Sequence, residues 1–300
     1  MRLALAIVLA LVLATPAAAA TRPPLIGVGE QNVSVFTDPA FESLGLRDVR
    51  FVAAYDALHS DWQRQELDDY LTAARGAGVR VLLGFGHSRD PEKMHTLPSV
   101  ARFEREFKAF RARYPWIKDY LTWNEANHCS QPTCRNPARA AKFYLALRKH
   151  CRGCRIVAAD VLDGTKMVGW VRRFQKAVGK NRRVIWGIHN YIDANRFRTR
   201  GTKALLAAVK GDVWFTETGG IVRRDNHSSL SLPQSPRHAA QATTWVFKLA
   251  ALSSRVKRVY FYHWSAPPLQ ATWDSAFVDR KDKPRPAYTV LRKWLRKHAR

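Results

Sequence analysis

Residues 120–125 read Tyr-Leu-Thr-Trp-Asn-Glu, and residues 212–217 read Asp-Val-Trp-Phe-Thr-Glu. Each stretch is a short apolar run, rich in aromatic and β-branched residues, that stops at a glutamate. Runs of this length and composition are typical of buried strands. Both stretches therefore predict a strand that places one carboxylate, that of Glu125 or Glu217, at its carboxyl end.

Similar runs recur along the chain and alternate with segments of helical period. The eight runs fall at residues 25–29, 49–54, 79–85, 120–123, 156–159, 184–188, 212–216 and 259–263. The helical segments include residues 62–76, 100–114, 137–150, 166–178, 202–209 and 237–253. This alternation predicts repeated βα units around a parallel sheet. Since no linker rich in Pro, Gly or Ser divides the chain, residues 21–300 are predicted to form one α/β domain, a closed (β/α)8 TIM barrel.

The first twenty residues are predicted to be a signal peptide. Arg2 precedes an apolar run at residues 3–14, which is followed by four alanines at residues 17–20. That order is typical of a secretory signal. The run is short for a membrane span, and no later segment approaches the ~20 apolar residues that a span needs. We expect a secreted or cell-envelope protein with no membrane span after signal removal, and a retained N-terminal anchor is the alternative.

The four cysteines come in two close pairs, which favours disulfides in an exported chain. The same spacing resembles a zinc ribbon, but residues 137–150 between the pairs have helical composition and period. Fourteen helical residues span ~21 Å, which keeps the two pairs apart. We therefore predict the local bridges Cys129–Cys134 and Cys151–Cys154, with free thiols as the alternative.

The chain is strongly basic, with 50 Lys and Arg against 24 Asp and Glu and a formal net charge of +26. This excess favours anionic partners, such as an anionic cell-surface polymer. The basic residues are dispersed, the densest cluster lies at residues 292–300, and none of the clusters matches a motif that reads a nucleic-acid groove. No specific nucleic-acid partner is predicted.

Barrels of this kind assemble their active sites at the carboxyl ends of the strands, so the residues that end the predicted strands are the candidates for function. These residues are Glu30, Tyr55, Asp56, His87, Asn124, Glu125, Asp160, His189, Tyr191, Glu217, His263 and Trp264. Acids, imidazoles and aromatic rings suit a sugar, because they offer polar edges for hydroxyls and flat faces for the ring. Two carboxylates that face one sugar are the usual equipment for glycoside hydrolysis.

The glutamates at the ends of strands four and seven resemble those of the clan A retaining glycoside hydrolases, which share the (β/α)8 barrel. The resemblance rests on Asn124-Glu125 and Glu217 and covers the whole chain after the signal. It implies that Glu125 is the acid/base, that Glu217 is the nucleophile and that Asn124 contacts the sugar hydroxyl beside the anomeric carbon.

The resemblance extends to residues on three further strands. It implies that Tyr191 and Arg50 hold Glu217 and that Trp264 forms the floor of the subsite for the sugar being cleaved. His189 belongs to the same pattern, and His87 is a candidate for sugar binding from its strand-end position.

The implied activity is hydrolysis of O-glycosidic bonds in a polysaccharide or a cell-surface glycan by double displacement. An anionic Glu217 and an apolar setting at Trp123 are expected to raise the pKa of Glu125 and keep it protonated. The mechanism requires no cofactor, and no metal site is predicted.

Two other classes remain open, a noncatalytic glycan- or cell-wall-binding barrel and a basic polyanion-binding protein. The glutamate pair argues against the first, and the second requires one contiguous basic face. The chain carries no Gly-x-Ser-x-Gly elbow, phosphate-binding loop or His-Glu-x-x-His segment, so serine-hydrolase, nucleotide and zinc-protease functions lack their usual motifs.

Overall fold

A computed structural model describes residues 22–179, 184–225 and 231–299. Eight parallel strands form a closed barrel in the order in which they occur in the chain. They are β1 (Leu25–Gly29), β2 (Asp48–Ala54), β3 (Arg80–Gly86), β4 (Asp119–Leu121), β5 (Arg155–Leu162), β6 (Ile185–His189), β7 (Val213–Thr218) and β9 (Val256–Tyr262). The barrel closes where Leu25 pairs with Arg258 and Gly29 with Tyr262. The predicted single-domain TIM barrel is confirmed.

Helices lie between the strands and surround the barrel. They are α1 (Pro39–Glu42), α2 (Asp61–Gly76), α3 (Val100–Arg113), α4 (Pro137–His150), α5 (Met167–Val178), α6 (Tyr191–Asn195), α7 (Arg200–Ala208), α8 (Pro236–Ala250) and α9 (Pro286–Lys297). Two 3-10 helices, Val33–Thr37 and Ala57–His59, follow β1 and β2. A small antiparallel sheet pairs β8 (Arg223–Arg224) with β10 (Trp273–Asp274).

The barrel interior is filled by side chains rather than open. One buried apolar cluster comprises Leu82, Leu121, Val157, Trp214 and Tyr260. A polar layer that includes the buried side chains of Arg50, Asp160 and His189 also lies inside the barrel. A side chain at Gly187 would bring its Cβ within 2.5 Å of the Cβ of Asp160 and 2.7 Å of the Thr216 hydroxyl oxygen. Only glycine therefore leaves room for the polar layer on β6.

Most predicted strand boundaries shift by one to three residues, among them those of β4 and β9. β4 ends at Leu121 rather than residue 123, although Asn124 still donates its backbone N–H to the Phe85 carbonyl at 2.7 Å. The backbone leaves the strand because Glu125 takes a φ of 46°. β9 begins at Val256, three residues before the predicted start. This start was not predicted because a charged residue, Arg258, interrupts the apolar run. In the structure Arg258 is buried and donates to Asp119 at 2.7 Å.

The cysteines pair as Cys129–Cys134 and Cys151–Cys154, with Cα–Cα distances of 5.0 and 5.5 Å. No free cysteine remains. Helix α4 occupies the segment between the two pairs, so the local pairing is confirmed and a shared zinc site is excluded. The predicted signal peptide, residues 1–20, lies outside the described residues. Within the described ranges, no helix combines the length and apolar character that a membrane span requires.

Candidate active site

The mouth of the barrel brings Glu125 and Glu217 together. Glu217 lies within β7, and Glu125 lies four residues beyond the end of β4. A carboxylate oxygen of each glutamate and a ring nitrogen of His189 all lie within 4.8 Å of one another. The side chain of Glu125 is 25% exposed and that of Glu217 is 14% exposed. Both carboxylates are thus close together and reachable from solvent.

Two donors fix the carboxylate of Glu217. Arg50, in β2, donates from Nη1 to Oε2 at 2.8 Å, and the hydroxyl of Tyr191 donates to Oε1 at 3.1 Å. Burial and then the charge of Glu217 raise the pKa of Tyr191 well above its usual range. Tyr191 therefore keeps its proton and can serve as a donor. Arg50 also donates from Nη2 to the side-chain oxygen of Asn124 at 2.6 Å, which connects the ends of β2 and β4.

Asp160 positions the backbone of Glu125. One oxygen of this buried aspartate accepts the backbone N–H of Glu125. That contact stabilises a positive φ, which a residue other than glycine adopts at some cost. The other oxygen faces His189 Nε2 at 2.9 Å and Arg50 Nη2 at 3.3 Å. The sequence placed Asp160 at a strand end but assigned it no role, because its partners come from three other strands or loops.

His189 is a buried imidazolium between two carboxylates. Its Nδ1 lies 3.1 Å from Glu125 Oε1, and its Nε2 contacts Asp160. Burial favours the neutral ring, but the charges of Asp160 and Glu217 and the hydrogen bonds to Asp160 and Glu125 outweigh it and raise the pKa of His189 to about 10. Both ring nitrogens therefore carry protons at neutral pH and donate.

The pKa of Glu125 differs from the expected direction. Burial raises it, but the hydrogen bond and the charge of His189 outweigh burial and leave the pKa below its ordinary value. Trp123 does not provide the apolar setting that was expected. Its ring is fully buried, stacks against Phe143 and donates to Gln131 at 3.0 Å. The free enzyme therefore favours the carboxylate form of Glu125.

Two predicted sugar contacts are not formed as expected. Trp264 is 0% exposed, donates from Nε1 to Asp38 at 2.6 Å and packs its ring edge-on against Phe41. It therefore offers no ring face to a sugar and does not form the subsite floor. His87 follows β3, is half-buried and places Nδ1 2.7 Å from the Ser88 carbonyl oxygen. No contact among the described residues joins His87 to either glutamate.

Two other aromatic residues line an open cleft at the β1 and β9 side of the mouth. The cleft has a cavity volume of about 900 Å³, and Tyr262 and Trp273 are among its lining residues. Glu125 and Glu217 are not among its lining residues, but it lies beside them, because the Trp273 ring is 4.7 Å from the ring of Tyr191, which donates to Glu217. Burial and then the charges of Glu217 and Glu30 raise the pKa of Tyr262. Tyr262 was missed because the predicted strand ended one residue later.

Glu125, His189 and Glu217 are also close enough to surround a cation. His189, however, uses both ring nitrogens as donors to carboxylates, and an imidazolium has no lone pair for a metal. A metal at His189 would have to displace one ring proton from a group whose pKa is raised to about 10. The arrangement fits proton transfer between carboxylates and a sugar better than metal coordination.

A closed (β/α)8 barrel with two adjacent glutamates at its mouth defines the class of barrel glycoside hydrolases. The profile of the family described as glycosyl hydrolase catalytic core matches residues 91–288. The chain belongs to this family. A comparison with curated protein sequences finds no match.

Solved structures with the same fold include several glycoside hydrolases. A GH10 endoxylanase from a sugarcane soil metagenome has a TM-score of 0.64 and 15% identity, with coverage of 91% of this chain and 97% of that one. GH5_18 from Streptomyces cattleya, in complex with GlcNAc, has a TM-score of 0.66 and 16% identity over 93% and 81% of the two chains. A GH128 endo-beta-1,3-glucanase from Amycolatopsis mediterranei, in complex with laminaripentaose, has a TM-score of 0.59 and 19% identity over 91% and 98%. These structures share the barrel fold of this chain, and the family match identifies it as a glycosyl hydrolase catalytic core.

Proposed function

We propose that the protein is a retaining glycoside hydrolase that cleaves O-glycosidic bonds of a polysaccharide or cell-surface glycan. The observation that carries this proposal is that one carboxylate oxygen of Glu125 and one of Glu217 lie within 4.8 Å of each other. Retaining pairs lie ~5–5.5 Å apart, whereas inverting pairs need ~6.5–9.5 Å to admit a water molecule. The short separation leaves room for direct attack by one glutamate.

In the first step, Glu217 attacks the anomeric carbon, and the glycosidic C–O bond breaks. The leaving oxygen takes the proton of Glu125, and a glycosyl ester of Glu217 forms. Arg50 and Tyr191 hold the attacking carboxylate by their hydrogen bonds. Asn124, oriented by Arg50, is the candidate contact to the hydroxyl beside the anomeric carbon.

In the second step, the carboxylate of Glu125 takes a proton from water, and the resulting hydroxide attacks the anomeric carbon and releases Glu217. His189 favours this step, because its charge stabilises the carboxylate form of Glu125. The first step needs the protonated form instead. A sugar that covers the exposed quarter of the Glu125 side chain removes water from the carboxylate, which raises its pKa and favours protonation.

The open cleft favours a polymeric substrate. A cavity of about 900 Å³ with Tyr262 and Trp273 in its lining can hold several sugar units against aromatic faces. Xylan and β-1,3-glucan are the first substrates to test, because similar structures are described as an endoxylanase and an endo-beta-1,3-glucanase. The signal-like N-terminus and the two disulfides support a secreted or cell-envelope location. The net charge of +26 supports retention near an anionic cell-surface polymer.

The test is reducing-sugar release from plant, fungal and bacterial-wall polysaccharides by wild type, Glu217→Gln and Glu104→Gln. Glu104 lies on α3 and binds Lys149, so its variant makes the same chemical change outside the mouth. We expect release by wild type and Glu104→Gln and none by folded Glu217→Gln. Equal release by all three would contradict the roles assigned to the pair. Binding by all three without release would favour a noncatalytic glycan-binding barrel.

A further inference from the structure

A second cavity, of about 390 Å³, opens at the ends of β5 and β6. Residues 163–168 form one wall, and the segment from α6 to the first turn of α7 forms the other. Arg196, Arg198 and Arg200 all line it. We refer to it as the arginine cavity.

Among the residues that the structure describes, the three arginines form no ion pair. Every Asp and Glu of the chain lies in the described ranges, and none makes an ion pair with Arg196, Arg198 or Arg200 there. Arg196 donates from Nη2 to the Ser231 carbonyl at 2.7 Å. Arg198 and Arg200 are exposed. Their guanidinium groups are therefore free to bind a ligand.

Two carboxylates line the arginine cavity, but both are engaged by backbone N–H groups. Asp163 accepts from the backbone of Asp193 at 2.9 Å and from that of Ile192 at 3.3 Å. Asp193 accepts from the backbone of Thr202 at 2.6 Å and from that of Gly201 at 3.1 Å. The two acids thus fix the walls, and three arginines against two carboxyl groups leave the concave surface cationic. Guanidinium groups bind carboxylate, sulfate and phosphate oxygens in a bidentate manner.

The order of the strands places the arginine cavity on a different side of the mouth from the aromatic cleft. The cleft lies at β1 and β9; in the closed ring of eight strands, β5 lies opposite β1, and β6 lies two strands from β9. Glu125 follows β4 and Glu217 lies in β7, so the two glutamates flank the line between the cavities. A polysaccharide that leaves the cleft between the two glutamates would therefore run toward the β5 and β6 side of the mouth, where the arginines lie.

We propose that the arginine cavity binds an anionic substituent of the polysaccharide, a carboxylate or a sulfate or phosphate ester, beyond the bond that is cleaved. This inference rests on the proposed function, since it assigns the substrate of the same site. The arginine cavity gives part of the excess basic charge of the chain a specific role, and it makes the protein favour acidic over neutral polymers.

The test compares binding of charged and uncharged forms of one polymer. The probes are β-1,3-glucan with its carboxymethyl and sulfate derivatives, and unsubstituted xylan with glucuronoxylan, titrated at 0.15 M salt. The variant Arg198→Gln/Arg200→Gln is matched by Arg172→Gln/Arg173→Gln, which removes the same charge from exposed positions on α5. Thermal unfolding checks that each variant is folded.

We expect wild type and the α5 variant to bind at least one charged derivative more tightly than its uncharged parent. The cavity variant should lose about tenfold in affinity for that derivative, the order of one charge-assisted hydrogen bond, with unchanged binding of the parent. The carboxylated and sulfated probes distinguish the anion. Equal losses in both double variants would indicate diffuse charge, and no loss in the cavity variant would exclude the site. Either result would overturn the inference. Binding needs no turnover, so these results are separate from failure of the proposed hydrolysis.

Discussion

Replacement of His189 by asparagine should raise the pKa of Glu125. Asparagine keeps a neutral donor near the position of Nδ1 but removes the charge that now lies 3.1 Å from Glu125 Oε1. The pKa of Glu125 is lowered because this hydrogen bond and this charge outweigh burial. Without the imidazolium, burial and the nearby charge of Asp160 raise the pKa, and only the weaker charge effect of His128 lowers it.

The size of the shift follows from the distance. Two opposite charges 3.1 Å apart interact by about 5 kcal/mol at an effective dielectric constant of 20. Glu125 is one quarter exposed, and water reduces this interaction. A carboxylate beside one cation typically shifts by ~1–3 pKa units. We therefore expect the pKa of Glu125 to rise in His189→Asn, since the largest effect that lowers it is removed.

Two assays measure this shift. The alkaline limb of kcat/KM against pH reports the group that must be protonated, and it should move upward in His189→Asn by the same amount. A ¹³C NMR titration of labelled glutamate carboxyls, with Glu125→Gln to assign the signal, measures the shift without substrate. A loss of activity that is the same at every pH, with no shift in the pH profile of kcat/KM and none in the NMR titration, would refute the electrostatic role of His189. His189 would then be a structural residue.

Three further predictions concern other parts of the site. Tyr191→Phe, which removes the donor to Glu217 but keeps the ring against Trp273, should lower kcat about tenfold with little change in KM; a rise in KM alone would instead assign Tyr191 to sugar binding. The pKa of Asp163 is raised to about 7, chiefly by burial, so ionising it costs folding free energy as pH rises from about 4 to 7. Urea unfolding of Asp163→Asn should therefore lose less stability than wild type over this range, and parallel pH curves would contradict the assignment. Trp264→Ala should lower the free energy of unfolding by about 3–5 kcal/mol, whereas Trp273→Ala should mainly raise KM for polysaccharide. Thermal melts measure the loss of stability, and initial rates measure the change in KM. A raised KM in Trp264→Ala with unchanged stability would restore Trp264 as a sugar contact.

Much of the barrel could be predicted because its elements carry clear local signals. β1 matches its predicted bounds, Leu25–Gly29, as does α4, which begins at Pro137 and ends at His150. A proline is favoured in the first turn of a helix, which marks that start in the sequence. The end of β4 could not be predicted, because it depends on the contact between Asp160 and the Glu125 backbone.

The residues of the mouth were predicted less evenly than the barrel. A glutamate that ends a barrel strand is a strong signal, and the structure brings Glu125 and Glu217 together. The direction of Trp264 depends on a turn after β9, where Glu30 accepts the backbone N–H groups of Trp264 and Ser265 at 2.9 Å each. No local sequence pattern predicts that turn, so Trp264 was expected to form the floor of a sugar subsite although it is buried.

The protonation states of the site residues also depend on tertiary contacts. The sequence suggested that Glu217 and Trp123 would control the pKa of Glu125, whereas His189 controls it. That effect depends on Asp160, because a buried imidazole without a carboxylate partner would lose its proton. The three residues come from different strands or loops, and only the closed barrel places them in a row.

The most direct test of the central claim is the configuration of the first product. Wild type would be mixed with a polysaccharide that it hydrolyses, and the anomeric protons would be followed by ¹H NMR from the first minutes. Double displacement predicts that the new reducing end first appears with the configuration of the cleaved bond. The signal of the other anomer should increase only later, by mutarotation. Immediate appearance of the opposite anomer would contradict double displacement through Glu217.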